Sequence, residues 1–259
     1  MNPGKSHGGP ARAVTGSWLM GRLNPNARMR LFCLPYAGGG ASVYRSWQGS
    51  FADGIEVCCV QLPGRENRLA EPLFTRMGPL VEAMAEALVS ALDRPFALFG
   101  HSMGGLIAYE LAKLLLRRHG MTPVHLFVSA CRAPEVPDTI QWHGLSDQEL
   151  MAELRKVPGF PGEVLEHAEL MELLLPIIRA DSAVTETYEY GQAEPLEYPL
   201  TAFASERDEV IPRSAIEPWR NHTRAAFDLK LVDGHHLFIQ QQSQQMIRTI
   251  LEKLRGKAR

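Results

Sequence analysis

Ser102 stands in Gly100-His101-Ser102-Met103-Gly104, between the apolar run "FALFG" and a long helical run. A serine hydroxyl becomes a nucleophile when a base takes its proton and an acid orients that base. It must also be lifted clear of the backbone. G-x-S-x-G does this by placing the serine on a cramped strand-to-helix turn, with glycines two positions either side to leave room. Gly105 adds close approach of helix and sheet. The helix N-terminus just past Ser102 offers free N–H groups where an oxyanion would form, so Met103 N–H is one expected donor. Downstream, "ERDEVIP" offers Asp208 as the acid and "DGHHLFI" offers His235 or His236 as the base, each after an apolar strand-like run. Upstream, the glycines of "LPYAGGGASVYRSW" free the backbone after the first strand, and Ala37 N–H is the second expected donor. The same loop lacks the lysine and spacing of a phosphate-binding loop.

These residues need a scaffold that brings distant segments to one edge. Short β-rich runs at 29–36, 55–62, 96–100, 124–130, 200–205 and 227–232 alternate with helical patterns at 79–92 and 103–119. Alternation of this kind predicts a mainly parallel sheet with helices on both faces, and a G-x-S-x-G turn between strand and helix on such a sheet resembles the nucleophile turn of the α/β-hydrolase fold. In that fold the chain order is Ser, Asp/Glu, His, which Ser102, Asp208 and the "GHH" pair obey. Glu206 and Glu209 flank Asp208, Asp233 lies too near the histidines, and Glu135 and Asp138 follow the preceding strand at a distance. Asp208 is the best placed. "RRHG" ends the 103–119 helix with basic residues on its negative end and Gly120 just past it.

Residues 136–195 break the alternation. "SDQE" at 146–149 is a capping box opening a helix. After "PGFPG" comes a longer helical pattern in which Pro176 is expected to make a kink. The interval predicts an inserted helical lid, with core segments 18–135 and 196–259 around it and residues 1–17 as a Gly/Pro/Ser-rich tail. Met151, Leu154, Leu170, Leu173 and Leu174 are either an acyl-chamber lining or ordinary lid packing.

Composition narrows the function classes. The chain has 259 residues, 45% hydrophobic and 22% charged, with a net charge of −2. No apolar stretch approaches the ~20 residues of a membrane span. The first segment has no hydrophobic core of a secretory signal. Cys33, Cys58, Cys59 and Cys131 lack metal-ligand spacing and read as buried reduced thiols, which predicts a cytoplasmic protein without metal. No basic tract for nucleic acid is present. Residues 1–76 hold nine Lys/Arg against four Asp/Glu, a local +5 against −7 for the remainder. Such asymmetry suits an acidic macromolecular partner.

"LFCLPYAGGGASVYRSW", "VQLPGRENRLAEP", "FGHSMGG", "LFVSACRAP", "LSDQELMAELRKV", "ELMELLLPIIRAD", "ERDEVIP" and "DGHHLFI" together resemble the type II thioesterases of polyketide and nonribosomal peptide assembly lines. The resemblance covers nearly the whole chain. It implies a serine thioesterase that hydrolyses acyl or aminoacyl groups from the phosphopantetheine arm of carrier proteins, as a monomer, with no cofactor of its own. It maps the catalytic acid onto Asp208 and, through the glycine that precedes the family histidine, the base onto His235. It turns the Arg-rich first third into a candidate docking face for an acyl or peptidyl carrier protein, with Arg45 and Arg68 as positions to test. Two other readings fit the same nucleophile pattern: a carboxylesterase of small oxygen esters, and a non-catalytic ligand-binding α/β-hydrolase.

Overall fold

Strand β1 (Met29–Leu34) is buried along its whole length, because its alternating side chains feed two different cores. Phe32 and Leu34 join the cluster on one face, while Met29, Leu31 and Cys33 join the cluster on the other. Continuous apolar strands of this kind need cover on both sides. They receive it in the computed structural model, which describes residues 18–51, 54–139, 141–191 and 194–257. The expected tail, 1–17, lies outside the described residues.

Around β1 run β2 (Ile55–Cys59), β3 (Phe96–His101), β4 (Leu126–Ser129), β5 (Leu200–Ala204) and β6 (Phe227–Leu231). The sheet order is β2-β1-β3-β4-β5-β6 and every pairing is parallel. The order reverses between β1 and β3, so the loops leaving those strands diverge and open a crevice at their C-terminal ends. Helices α1 (Met77–Leu88) and α2 (Met103–His119) cover one face, and the last helix, α6 (Ser243–Leu254), covers the other through Met246, Ile247, Ile250 and Leu254. Gly120, at φ +64°, closes α2 and donates its N–H back to the last turn. The β2 edge is shielded by an antiparallel bridge from Leu19 to Val60.

Between β4 and β5 the described residues hold α3 (Asp147–Leu154), α4 (Gly162–Glu166) and α5 (Ala168–Glu186), and no strand of the sheet. The capping box forms as expected: Ser146 Oγ accepts from Glu149 N–H, and the Glu149 carboxylate reaches back to Ser146 N–H. The expected long helix instead divides at His167, which leaves helical geometry and caps α5 with its ring. Pro176 lies inside α5, which continues through it. Leu150, Leu154, Met171, Leu175 and Ile178 give these helices a core of their own. Among the described residues, no helix is long and apolar enough to cross a membrane. All four cysteines are buried and free.

Two histidines are built into the sheet in neutral form. His125 stacks on Phe127 with ring centroids 4.2 Å apart and bonds Thr201 at 2.9 Å. Burial first, and then Lys257 and Lys253, push its pKa down to about 3. His101, at the end of β3, is likewise pushed down to about 3 by burial and the adjacent His236. In the unfolded chain each takes up a proton near pH ~6.5, so between roughly pH 6.5 and 3 the unfolded state binds more protons than the folded one. Stability is therefore expected to fall as pH drops through that window, by up to about 1.4 kcal/mol per pH unit for each group. Urea midpoints at several pH values check this, and His125→Gln should flatten the slope. An unchanged slope in that variant would contradict the assignment.

Candidate active site

Ser102 occupies a backbone conformation that side chains rarely adopt, φ +53° and ψ −122°. Its neighbours explain how the chain gets there. A Cβ on Gly100 would fall 2.0 Å from the Gly104 carbonyl oxygen, and one on Gly104 would fall 2.3 Å from the Leu34 carbonyl. One on Gly105 would meet Cys131 Cβ at 2.8 Å. Three backbones thus touch at the turn, and Ser102 N–H is tied to the Ser129 carbonyl at 2.7 Å. The serine is the first residue outside α2, at the positive end of the helix dipole.

Asp208 follows β5 on a short loop. Its Oδ1 accepts hydrogen bonds from Val210 N–H and Ile211 N–H, both at 2.9 Å. The carboxylate is fully buried, whereas Glu206 and Glu209 are exposed. Asp208 Oδ2 lies 2.9 Å from Nδ1 of His236, and His236 Nε2 lies 3.0 Å from Ser102 Oγ. A carboxylate can only accept, so Nδ1 carries the proton and Nε2 is left to receive one from the hydroxyl.

The histidine at the serine is therefore His236 and not the expected His235, whose Nδ1 lies 3.2 Å from the Arg207 carbonyl on the half-exposed side of the loop. The reason lies in how the turn after β6 is fastened. Gly234, at φ +126°, reverses the chain with no room for a Cβ against Phe238, and its carbonyl accepts from Ser205 Oγ. One further residue is needed to bring the ring round. The His236 carbonyl is then gripped by His101 Nε2 at 2.9 Å, while His101 Nδ1 accepts from Ser129 Oγ at 2.9 Å. Since Nε2 must donate to a carbonyl, His101 is held in one tautomer, and burial keeps it uncharged.

The loop after β1 carries Ala37. Gly38 lies at φ +80° against Ile178 of α5, and Gly40 sits under Glu66. The "QLPGREN" segment cradles this loop: Gln61 Oε1 accepts from Ala41 N–H at 2.8 Å, and Glu66 Oε1 accepts from Ser42 Oγ at 2.5 Å. Beyond it, Tyr44 donates to the Leu34 carbonyl at 2.6 Å and Trp47 rests on Phe99, centroids 4.9 Å apart. Ala37, Ser102, Met103 and His236 line a cavity of about 120 Å³, roofed by Leu154, Phe160 and Ile178. Of the five lid side chains read as either chamber lining or lid packing, Leu154 lines the cavity and the other four do not. Met151 and Leu174 pack within the lid, and Leu173 is 51% exposed.

The Arg-rich first third is also corrected in part. Arg30, Arg65 and Arg68 are buried. Arg68 lies over the Trp18 ring and bonds Glu71 and the Gln61 carbonyl, so it holds a loop and presents no free charge. Arg45 is exposed.

A parallel sheet reversing at β1/β3, a strained serine at its C-terminal edge and an Asp–His pair reaching that serine define an α/β-hydrolase. Residues 29–254 match the thioesterase domain family, and the chain belongs to it. It is 43% identical to the gramicidin S biosynthesis protein GrsT of Aneurinibacillus migulanus, over 90% of this chain and 91% of that one. Among solved structures it superimposes on the RedJ thioesterase of the prodiginine pathway in Streptomyces coelicolor with a TM-score of 0.84 and 38% identity, covering 88% of this chain and 91% of RedJ. The type II thioesterase BorB of the borrelidin cluster gives 0.84 and 34% identity, covering 92% of this chain and 98% of BorB.

The turn is the part of the site least able to accept change. Gly100→Ala puts a methyl onto backbone atoms that cannot move aside, and a loss of about 3 kcal/mol or more is expected. Urea unfolding measures it; a variant within about 1 kcal/mol of the parent would refute the close-contact account.

Proposed function

We propose that this thioesterase frees acyl or aminoacyl groups from the phosphopantetheine arm of carrier proteins, editing misprimed or stalled chains on polyketide or nonribosomal peptide assembly lines. The observation that carries the proposal is the hydrogen-bonded chain Ser102–His236–Asp208 opening onto a cavity walled by the inserted helices. The pathways named for the relatives support the choice of a thioester over an oxygen ester. In this reading α3–α5 act as the lid.

The reaction follows from the geometry. His236 Nε2 takes the Ser102 proton as Oγ attacks the thioester carbonyl, and Asp208 stabilises the imidazolium that results. Ala37 N–H and Met103 N–H receive the oxyanion, each lowering the barrier by about 3 kcal/mol. The tetrahedral intermediate collapses, His236 returns the proton to the departing sulfur, and the acyl group stays on Ser102. A thiol of pKa near ~8.5 leaves readily, so acid assistance matters less than in amide cleavage. His236 then activates water, which releases the acid and restores the hydroxyl. The steps use only this chain's own groups; the phosphopantetheine arrives with the substrate.

Acyl-loaded carrier proteins, with acyl loss followed by intact mass, test the proposal. His236→Ala is expected to lower kcat by roughly 10⁴-fold, and His235→Ala to leave it within about threefold. The reverse order would return the base to residue 235. Preference for a nitrophenyl ester over every acyl carrier protein would favour the carboxylesterase reading. Arg45→Glu is expected to weaken turnover of carrier-bound acyl groups and spare a small soluble thioester. Equal loss on both would remove Arg45 from docking.

A further inference from the structure

Arg65 and Asp181 form a buried, two-pronged ion pair between the segment after β2 and α5. Nη1 meets Oδ2 at 2.5 Å, Nη2 meets Oδ1 at 2.8 Å, and the two side chains are only 5% and 4% exposed. The hydrolytic steps use neither residue. The pair nevertheless ends on the loop that carries Ala37. Gly38 N–H donates to Asp181 Oδ2 at 2.8 Å, and Arg65 Nη1 donates to the Gly39 carbonyl at 3.2 Å. One helical turn earlier on the same face of α5, Ile178 presses on Gly38 and walls the cavity. Ile178 and Asp181 thus hold one residue of the loop from the side and from its N–H.

We propose that Asp181, neutralised by Arg65, is a positioning residue that makes the Ala37 N–H donor depend on the seating of α5. Without an acceptor, the Gly38 amide has no reason to turn toward α5, and the Tyr36–Ala37 peptide across the Ala37 Cα, which carries the Ala37 N–H, loses one of its two restraints and keeps only the bond from Gly39 N–H to the Tyr36 carbonyl at 2.9 Å. Oxyanion stabilisation depends on a donor aimed in advance, so a small rotation of this peptide costs rate and leaves substrate binding nearly unchanged. The inserted helices then do more than cover the cavity, because the donor loop is complete only while α5 is in place.

The inference rests on the thioesterase reading, and two paired variants separate it from a purely structural role. Removing one partner leaves a buried charge and threatens the fold, whereas replacing both by apolar residues of similar volume is tolerated. In R65M/D181L the Gly38 N–H loses its acceptor. With a small acyl thioester, kcat is expected to fall roughly 10- to 100-fold while KM stays within about twofold. Affinity for an acyl trifluoromethyl ketone, which forms an oxyanion on Ser102, should fall by the same factor. In R65Q/D181N a neutral acceptor remains, and kcat should return to within about threefold of the parent. A folded R65M/D181L with the parent's kcat overturns the proposal, as does equal loss in both pairs. Failure of either pair to fold also overturns it, assigning the ion pair to the fold alone. A parent enzyme without thioesterase activity would sink the functional reading instead, so the two failures are distinguishable.

Discussion

The contact of three backbones at the Ser102 turn is the constraint on which the rest of the site depends. Strand β3 must enter, α2 must leave, and the Leu34–Pro35 segment must pass beside them without a methyl group's clearance. A non-glycine residue held at positive φ stores on the order of 1–3 kcal/mol of strain, and it persists only where its surroundings over-determine it. Here they do. Strands β1, β3 and β4 are buried on both faces, and Ser102 N–H is bonded across to Ser129. Because the sheet order reverses at β1/β3, the same crowding that strains the serine also brings the Ala37 loop to its side.

The remaining groups are aimed by backbone bonds more than by side-chain packing. Two amides fix the Asp208 carboxylate, and the carbonyl of His236 is fixed by a histidine at the end of the strand that leads to Ser102. His101 therefore registers one loop against another, and its buried ring serves because it stays neutral. A proton there would put a cation beside the His236 ring, and would remove the acceptor that Ser129 Oγ uses.

Much of this was legible from residue order. All six strands fall within a few residues of expectation, and α2 and the capping box agree to the residue, since period, glycine spacing and capping chemistry are local signals. Ser102 and Asp208 could be singled out for a related reason: each lies within a few residues of the end of an apolar run. The residues alone do not separate the two adjacent histidines and the family resemblance chooses His235, the wrong one, because which one turns inward depends on Gly234, Ser205 and His101, contacts made across 29 and 135 positions. Arg68 looked like a surface charge because its aromatic platform, Trp18, lies far off in the chain. The buried partnership of Arg65 with Asp181 spans 116 positions, and nothing local to "PGRENR" reveals it.

A second candidate nucleophile lines the same cavity, and its chemistry shows why the hydroxyl is the group to expect at work. Cys131 lies beside Gly105 and borders the space that Ser102 opens onto. Thiolates attack thioesters well, but only as thiolates. Burial pushes the Cys131 thiol up to about 12 despite the opposing charge of Arg132. Its Sγ is turned toward the Arg132 carbonyl at 3.4 Å. Among the described residues no base addresses it: the one imidazole lining the cavity, His236, lies between Ser102 and Asp208. The serine, intrinsically the poorer nucleophile, is half-buried where Cys131 is buried, and has the proton acceptor and the helix N-terminus. Reactivity in this cavity follows from where the proton can go, and the fold provides that route to Ser102.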